Sequence, residues 1–185
     1  MLQEKNMKNR KVLVIFAHTY FEKSRLNKKL LEAISGLENI TIHNLTSTYP
    51  DYKINIAKEQ QLLLEHDHIV LQFPFFWYSC PAIMKLWLDE VLTFGFAYGE
   101  GGDKLHGKTL RVAITTGGNK QAYSPEGYNR FHLIDLLSPF DQTAHLCGIN
   151  WCKPFLIQGS RVISDHDLDQ RCEAYKQLLL DLASS

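Results

Sequence analysis

The sequence predicts a three-layer α/β sandwich built on a five-stranded parallel sheet of order 2-1-3-4-5. Two apolar runs, Val12-Leu-Val-Ile-Phe-Ala17 and His68-Ile-Val-Leu-Gln-Phe73, read as inner strands covered on both faces. Strand-like and helix-like segments alternate along the chain, which implies parallel strands joined by right-handed crossovers. Five such strands close most economically by reversing the winding between strands 1 and 3. That reversal opens a ligand crevice at their carboxyl ends.

The elements follow in order. After the first strand a polar loop, His18–Lys23, leads to a helix over Leu26, Leu30, Leu31 and Ile34, with Ser24 as N-cap and Gly36 as C′ residue. Ile40–Leu45 alternates as a short strand, and Ile56–Glu65 reads as a helix. The second buried run ends in a proline-bounded loop before a helix over Pro81–Thr93, with Pro81 in its first turn. Leu110–Thr115 is the fourth strand, stopped by Gly117-Gly118, and Lys153–Gln158 the fifth. Ser164–Leu182 closes the chain as an amphipathic helix. One domain over residues 11–185, after a polar N-terminal tail at residues 1–10, accommodates all of it.

Composition narrows the partners. Twenty basic and twenty acidic residues cancel, so bulk electrostatics recruits neither nucleic acid nor an anionic membrane. Four cysteines without CxxC spacing suit a reducing compartment, and no His/Cys cluster has metal-ligand spacing. The tail lacks a signal-peptide core, and the most apolar stretch, 69–88, is broken by Pro74, Pro81, Gln72 and Lys85. A cytoplasmic protein with no bound metal is expected.

Chemistry is expected at three loops on adjacent strand ends. His18–Asn27 runs from a strand into a helix start, where free amides and the helix dipole form a natural phosphate site. Ser24, Asn27 and His18 can add side-chain donors there. The loop is neither GxGxxG nor a P-loop. Phe73-Pro-Phe-Phe-Trp-Tyr-Ser-Cys-Pro81 sets four aromatics between two stiffening prolines, a wall for a planar heterocycle. Thr115-Thr-Gly-Gly118 lets backbone amides approach a ligand closely. Taken singly, a cap, a core plug and a glycine turn explain each loop equally well. Together they describe a flavin mononucleotide site.

Several motifs coincide with this reading: His18-x5-Ser24-x2-Asn27, Pro74-x2-Trp-Tyr-Ser-x-Pro81, Lys85-Leu-Trp-x-Asp-x-Val91, Phe96-Ala-Tyr-Gly99, Leu105-His-Gly-Lys108 and Thr115-Thr-Gly-Gly118. In combination, from Val12 to Gln158, they resemble the flavodoxin-like NAD(P)H:quinone oxidoreductases. The likeness is strongest to short bacterial members, which include ancillary subunits of glutathione-gated potassium efflux systems; DT-diaphorase is a longer relative. The resemblance implies flavin contacts at His18, Ser24, Arg25, Leu26 and Asn27, and around the ring at Phe75, Phe76, Trp77, Tyr78, Thr115, Thr116, Gly117 and Gly118. It implies catalytic positions at Tyr123, also a flavin contact, and at Asn129, and a substrate-pocket role for Tyr98 and Trp77. Asn129 stands where DT-diaphorase has a histidine in a tyrosine–histidine proton relay. A carboxamide cannot take a proton at neutral pH, which argues against that relay and shifts the expected mechanism toward Tyr123 and the amides around the flavin.

The implied activity is a two-electron, ping-pong transfer from NAD(P)H through FMN to a quinone-like acceptor in a homodimer. FAD is the alternative flavin; FMN is favoured because little chain remains after Ser164 to hold an adenine. The alternative function is a regulatory flavoprotein subunit, peripherally associated with a membrane transporter. A one-electron flavodoxin carrier is disfavoured, because those chains are acidic and have a glycine-bearing phosphate loop.

Overall fold

In the computed structural model, which describes residues 10–185, Val12–Phe16 forms the central strand β1, buried at every position. It pairs in parallel with β2 (Ile40–Asn44) on one side and β3 (His68–Pro74) on the other. The β3 strand is also buried along its whole length and pairs with β4 (Thr109–Thr115). The order β2-β1-β3-β4-β5 is as predicted. Continuous apolar sequence is the cause: each Val, Ile, Leu or Phe buried here stabilises by roughly 1.5–3 kcal/mol, on whichever face it points.

The sheet holds six strands rather than five. The far edge of β4 pairs with two short segments, β5 (Asn150–Trp151) and β6 (Phe155–Ile157). Pro154 breaks the continuity, because it has no amide to donate to the ladder. Arg111, on β4 opposite the break, donates instead to the Lys153 carbonyl. The expected strand at Lys153–Gln158 is therefore real but shorter, and its companion lies upstream.

Helices α1 (Arg25–Ile34) and α6 (Asp165–Ala183) cover one face, packing Leu26, Leu30 and Ile34 against Leu168, Tyr175 and Leu179. On the other face α3 (Ile56–Glu65), α4 (Ala82–Val91) and α5 (Ser138–Leu146) bury Leu63, Trp87 and Phe140. Between β2 and α3 the chain makes one short turn of helix, α2 (Leu45–Thr48), where a strand residue had been expected at Leu45. Asn44 caps it by accepting from the Thr46 and Ser47 amides. Ser24 caps α1 as predicted, and Gly36 takes the left-handed conformation (φ 73°) after its end. Pro81 precedes α4 as its N-cap rather than lying in its first turn. Helix α5 was not anticipated, although Pro139 at its start and the Phe140–Ala144–Cys147 spacing are a helical signal. The predicted N-terminal tail lies, apart from Arg10, outside the described residues.

Candidate functional site

The carboxyl ends of β1, β3 and β4 open onto a cleft of about 510 Å³. At one end the chain leaves β1, crosses a short 3-10 turn at Phe21–Lys23 and enters α1. Ser24 Oγ accepts the Asn27 amide at 3.3 Å. The amides of Arg25 and Leu26 precede the first intrahelical bonds, and both residues line the cleft at the positive end of the helix dipole. His18 is buried beside them; its Nδ1 accepts the Tyr20 amide at 3.0 Å, so the neutral ring carries its proton on Nε2. Burial pushes its pKa down and favours that neutral donor form. Lys23, Arg25 and Arg161 also line the cleft, and among the described residues no Asp or Glu does. Arg25 is shared: it donates to the Ile163 carbonyl at 2.5 Å and lies 3.4 Å from Asp165.

Beneath this end runs a buried polar chain. Asn27, 1% exposed, donates from Nδ2 to Ser24 Oγ and to Thr115 Oγ1, each at 3.2 Å. Its Oδ1 accepts from Gln72 Nε2 at 3.3 Å, and Gln72 Oε1 accepts the Tyr175 hydroxyl at 3.0 Å. Both Asn27 amide hydrogens are thus committed within the protein. Asn27 holds two cleft-lining residues, Ser24 and Thr115, at fixed spacing rather than reaching into the cleft itself. Sequence reasoning missed Gln72 and Tyr175. The signal was there in Gln72, a polar side chain inside a run buried on both faces, which demands a partner.

The other end is aromatic. The Phe75 amide donates to the Thr115 carbonyl at 2.9 Å, joining the loops after β3 and β4. Phe75 and Phe76 line the cleft, and the Phe76 ring stands edge-on to His18 at 5.7 Å between centroids. Trp77 (φ 48°) and Tyr78 (φ 61°) then occupy a two-residue turn closed by the Ser79 amide on the Phe76 carbonyl at 2.9 Å. Two successive bulky residues in the left-handed region are strained, and the strain is held in place by the surrounding loop. The result is a Trp77 side chain 93% exposed.

After β4, the Gly117 and Gly118 amides take no partner among the described residues. A Cβ on Gly118 would lie 2.7 Å from the hydroxyl of the exposed Tyr128, 3.1 Å from the Tyr123 ring and 3.2 Å from the Ala122 Cβ, so glycine lets the Tyr123 segment pack closely here. Tyr123 is buried, and that burial, with the Tyr128 and Tyr78 phenols nearby, raises its pKa and keeps its hydroxyl a neutral donor. Trp77, Tyr78, Gly118, Tyr123 and Asn129 are not among the residues lining the cleft; they adjoin its wall, with the Tyr123 ring 6.4 Å from that of Phe75. Tyr98 is not among the residues lining the cleft of this chain; it packs edge-on against Phe94 at 5.9 Å.

A doubly wound parallel sheet with its cleft at the switch point defines the class. The chain belongs to the family of flavodoxin-like fold, whose model matches residues 10–179. It is 46% identical over 171 residues to the glutathione-regulated potassium-efflux system ancillary protein KefG of Cronobacter sakazakii, covering 92% of this chain and 93% of that one. The general stress protein 14 of Treponema denticola, solved in complex with FMN, superposes with a TM-score of 0.87 at 34% identity, over 94% of this chain and 99% of that one. The NADPH-quinone reductase of P. pentosaceus superposes with a TM-score of 0.83 at 30% identity, over 91% and 96%.

Proposed function

We propose that this chain binds FMN and reduces quinone-like acceptors with NAD(P)H. The observation that carries the reading is the polarity of the cleft. One end offers helix amides, a neutral histidine N–H and three cations with no carboxylate among the described lining residues; the other offers aromatic rings and glycine amides unpaired among the described residues. A phosphate ester attached to a planar heterocycle matches both ends at once. Similarity to a protein solved with FMN supports FMN over FAD.

In this reading Ser24, His18 and the Arg25 and Leu26 amides hold the phosphate, with Asn27 fixing their spacing. Phe75, Phe76 and Thr116 wall the ring, and the Gly117 and Gly118 amides favour negative charge on its pyrimidine edge. When bound, FMN supplies the hydride chemistry, taking two electrons from NAD(P)H and delivering them to the acceptor. Tyr123 offers a neutral hydroxyl donor beside the ring. Trp77, Tyr128 and Phe131, all exposed, leave an apolar mouth that a second copy covers, bringing Tyr98 to the pocket of its partner.

A second reading shares the same site: a regulatory flavoprotein subunit of a potassium efflux system, as the name of the similar Cronobacter protein suggests. In this reading the subunit associates peripherally with the transporter; no helix among the described residues is long and apolar enough to cross a membrane. All four cysteines are free, which supports a reducing compartment.

The purified full chain is expected to be yellow and to release one FMN per chain by mass. It is expected to oxidise NADH or NADPH when a quinone is added. One bound FMN without quinone-dependent oxidation of either nucleotide would overturn the reductase reading and leave the regulatory one. Recovery from membranes only when the transporter is present would support the latter.

A further inference from the structure

The loops after β3 and β4 line the cleft through Phe75, Phe76, Thr116 and Gly117, and next to that lining one side-chain hydrogen bond spans them. Tyr78 donates its hydroxyl to Asn129 Oδ1 at 3.1 Å. Tyr78 stands on the left-handed turn, half-exposed, where the Ser79 amide on the Phe76 carbonyl is the turn's own closing bond. Asn129 is held firmly: its amide donates to the Ala122 carbonyl at 3.0 Å, and its carbonyl accepts the Phe131 amide at 2.8 Å. Ala122 is the neighbour of Tyr123. The bond therefore ties the most strained and exposed aromatic segment to the backbone that carries the buried tyrosine.

We infer that Asn129 is a positioning residue, a latch that fixes the Trp77–Tyr78 turn against the Tyr123 segment and so sets the opening through which nicotinamide and acceptor enter. This rests on the reductase reading. Only an acceptor oxygen is needed from Asn129, since Tyr78 supplies the proton. A carboxamide does not titrate between pH 5 and 8, so the mouth keeps one geometry across that range. The residue at this position then governs access and alignment rather than proton transfer.

The test compares full-length, FMN-loaded wild type with Asn129→Leu, Asn129→Asp, Tyr78→Phe and the double variant Asn129→Leu/Tyr78→Phe. One solvent-exposed hydrogen bond sets the scale: KM for NAD(P)H rises roughly fivefold in Asn129→Leu and in Tyr78→Phe, with kcat changed less than about twofold. The double variant rises no further than either single one. Asn129→Asp, which keeps the acceptor, returns KM to near the wild-type value. Independently of activity, amide hydrogen exchange at Ser79 speeds up by a similar factor in Asn129→Leu and not in Asn129→Asp. Unchanged KM and unchanged Ser79 exchange in Asn129→Leu, or multiplicative effects in the double variant, would overturn the latch. Faster Ser79 exchange in a chain whose wild type oxidises no NAD(P)H upholds the latch and defeats the reductase reading alone.

Discussion

The two ends of the cleft are built on opposite principles. At the end proposed to hold the phosphate, Ser24, Asn27, Thr115, Gln72 and Tyr175 form one hydrogen-bonded chain that joins α1, β3, β4 and α6. Position is set there by interior hydrogen bonds, which are costly to leave unmade. At the mouth, Trp77 and Tyr78 sit strained and exposed, held by short-range turn bonds and the Asn129 contact. The contrast matches the two tasks. A resident group needs a site that exists before it arrives, whereas transient substrates need a surface that can be covered and uncovered.

Removing the hub of the rigid end should have the largest effect. Asn27→Leu leaves the buried Gln72 amide and Thr115 hydroxyl without partners and removes one of the two bonds at Ser24, and is expected to lower unfolding stability by about 3 kcal/mol. FMN affinity should fall at least roughly tenfold with it, because Ser24 loses its support. Urea unfolding of the flavin-free chain and a fluorescence titration with FMN measure the two separately. An unchanged affinity would mean that the buried chain does not position the phosphate end.

The opposite face of the sheet supplies the control for that experiment. Glu59, 1% exposed on α3, accepts from His43 Nε2 (2.9 Å), the Tyr49 hydroxyl (2.5 Å) and Trp87 Nε1 (2.7 Å). It lines no part of the cleft. Burial pushes its pKa up, but the three donors more than offset this, so the carboxyl titrates below its usual 4.5. Tyr49 shifts the other way, raised first by burial and then by its bond to this carboxylate. A depressed carboxyl contributes stability that is complete above the unfolded-state value and is lost as pH falls through the folded one. Glu59→Gln turns at least one amide hydrogen toward a donor, and is expected to cost about 2 kcal/mol at pH 7. The gap between variant and wild type should narrow as pH drops below 4.5, while FMN affinity at pH 7 stays unchanged. A matching loss of FMN affinity would erase the distinction between a hub that serves the fold and one that serves the site.

Periodicity made most of the fold legible, because Val12–Phe16 and His68–Pro74 are buried on both faces and their composition says so. What escaped was set by tertiary context. The split of the last strand depends on Pro154 and on Arg111 reaching the Lys153 carbonyl across the sheet, and α5 shows only a weak apolar stripe in a long connection. The site was legible as three loops but not as their division of labour. Asn27 reads as a donor in sequence, and only the pairing with Gln72 and Thr115 turns it inward. The Glu59 cluster was invisible, since its partners come from β2, the segment before α3, and α4.

The smallest effect on stability is expected where the exposure is greatest. Trp77 is 93% exposed, so Trp77→Ala removes almost no buried surface and should leave unfolding stability within about 0.5 kcal/mol. Its consequence should appear only in association and turnover. If Trp77 is covered by a second copy, sedimentation of Trp77→Ala should show a larger monomer fraction at equal concentration, with a raised KM for NAD(P)H and an unaltered affinity for FMN. The opposite pattern, a stable dimer with weakened FMN binding, would move Trp77 from the mouth to the resident site. It would also remove the division between a preformed phosphate end and an adaptable entrance.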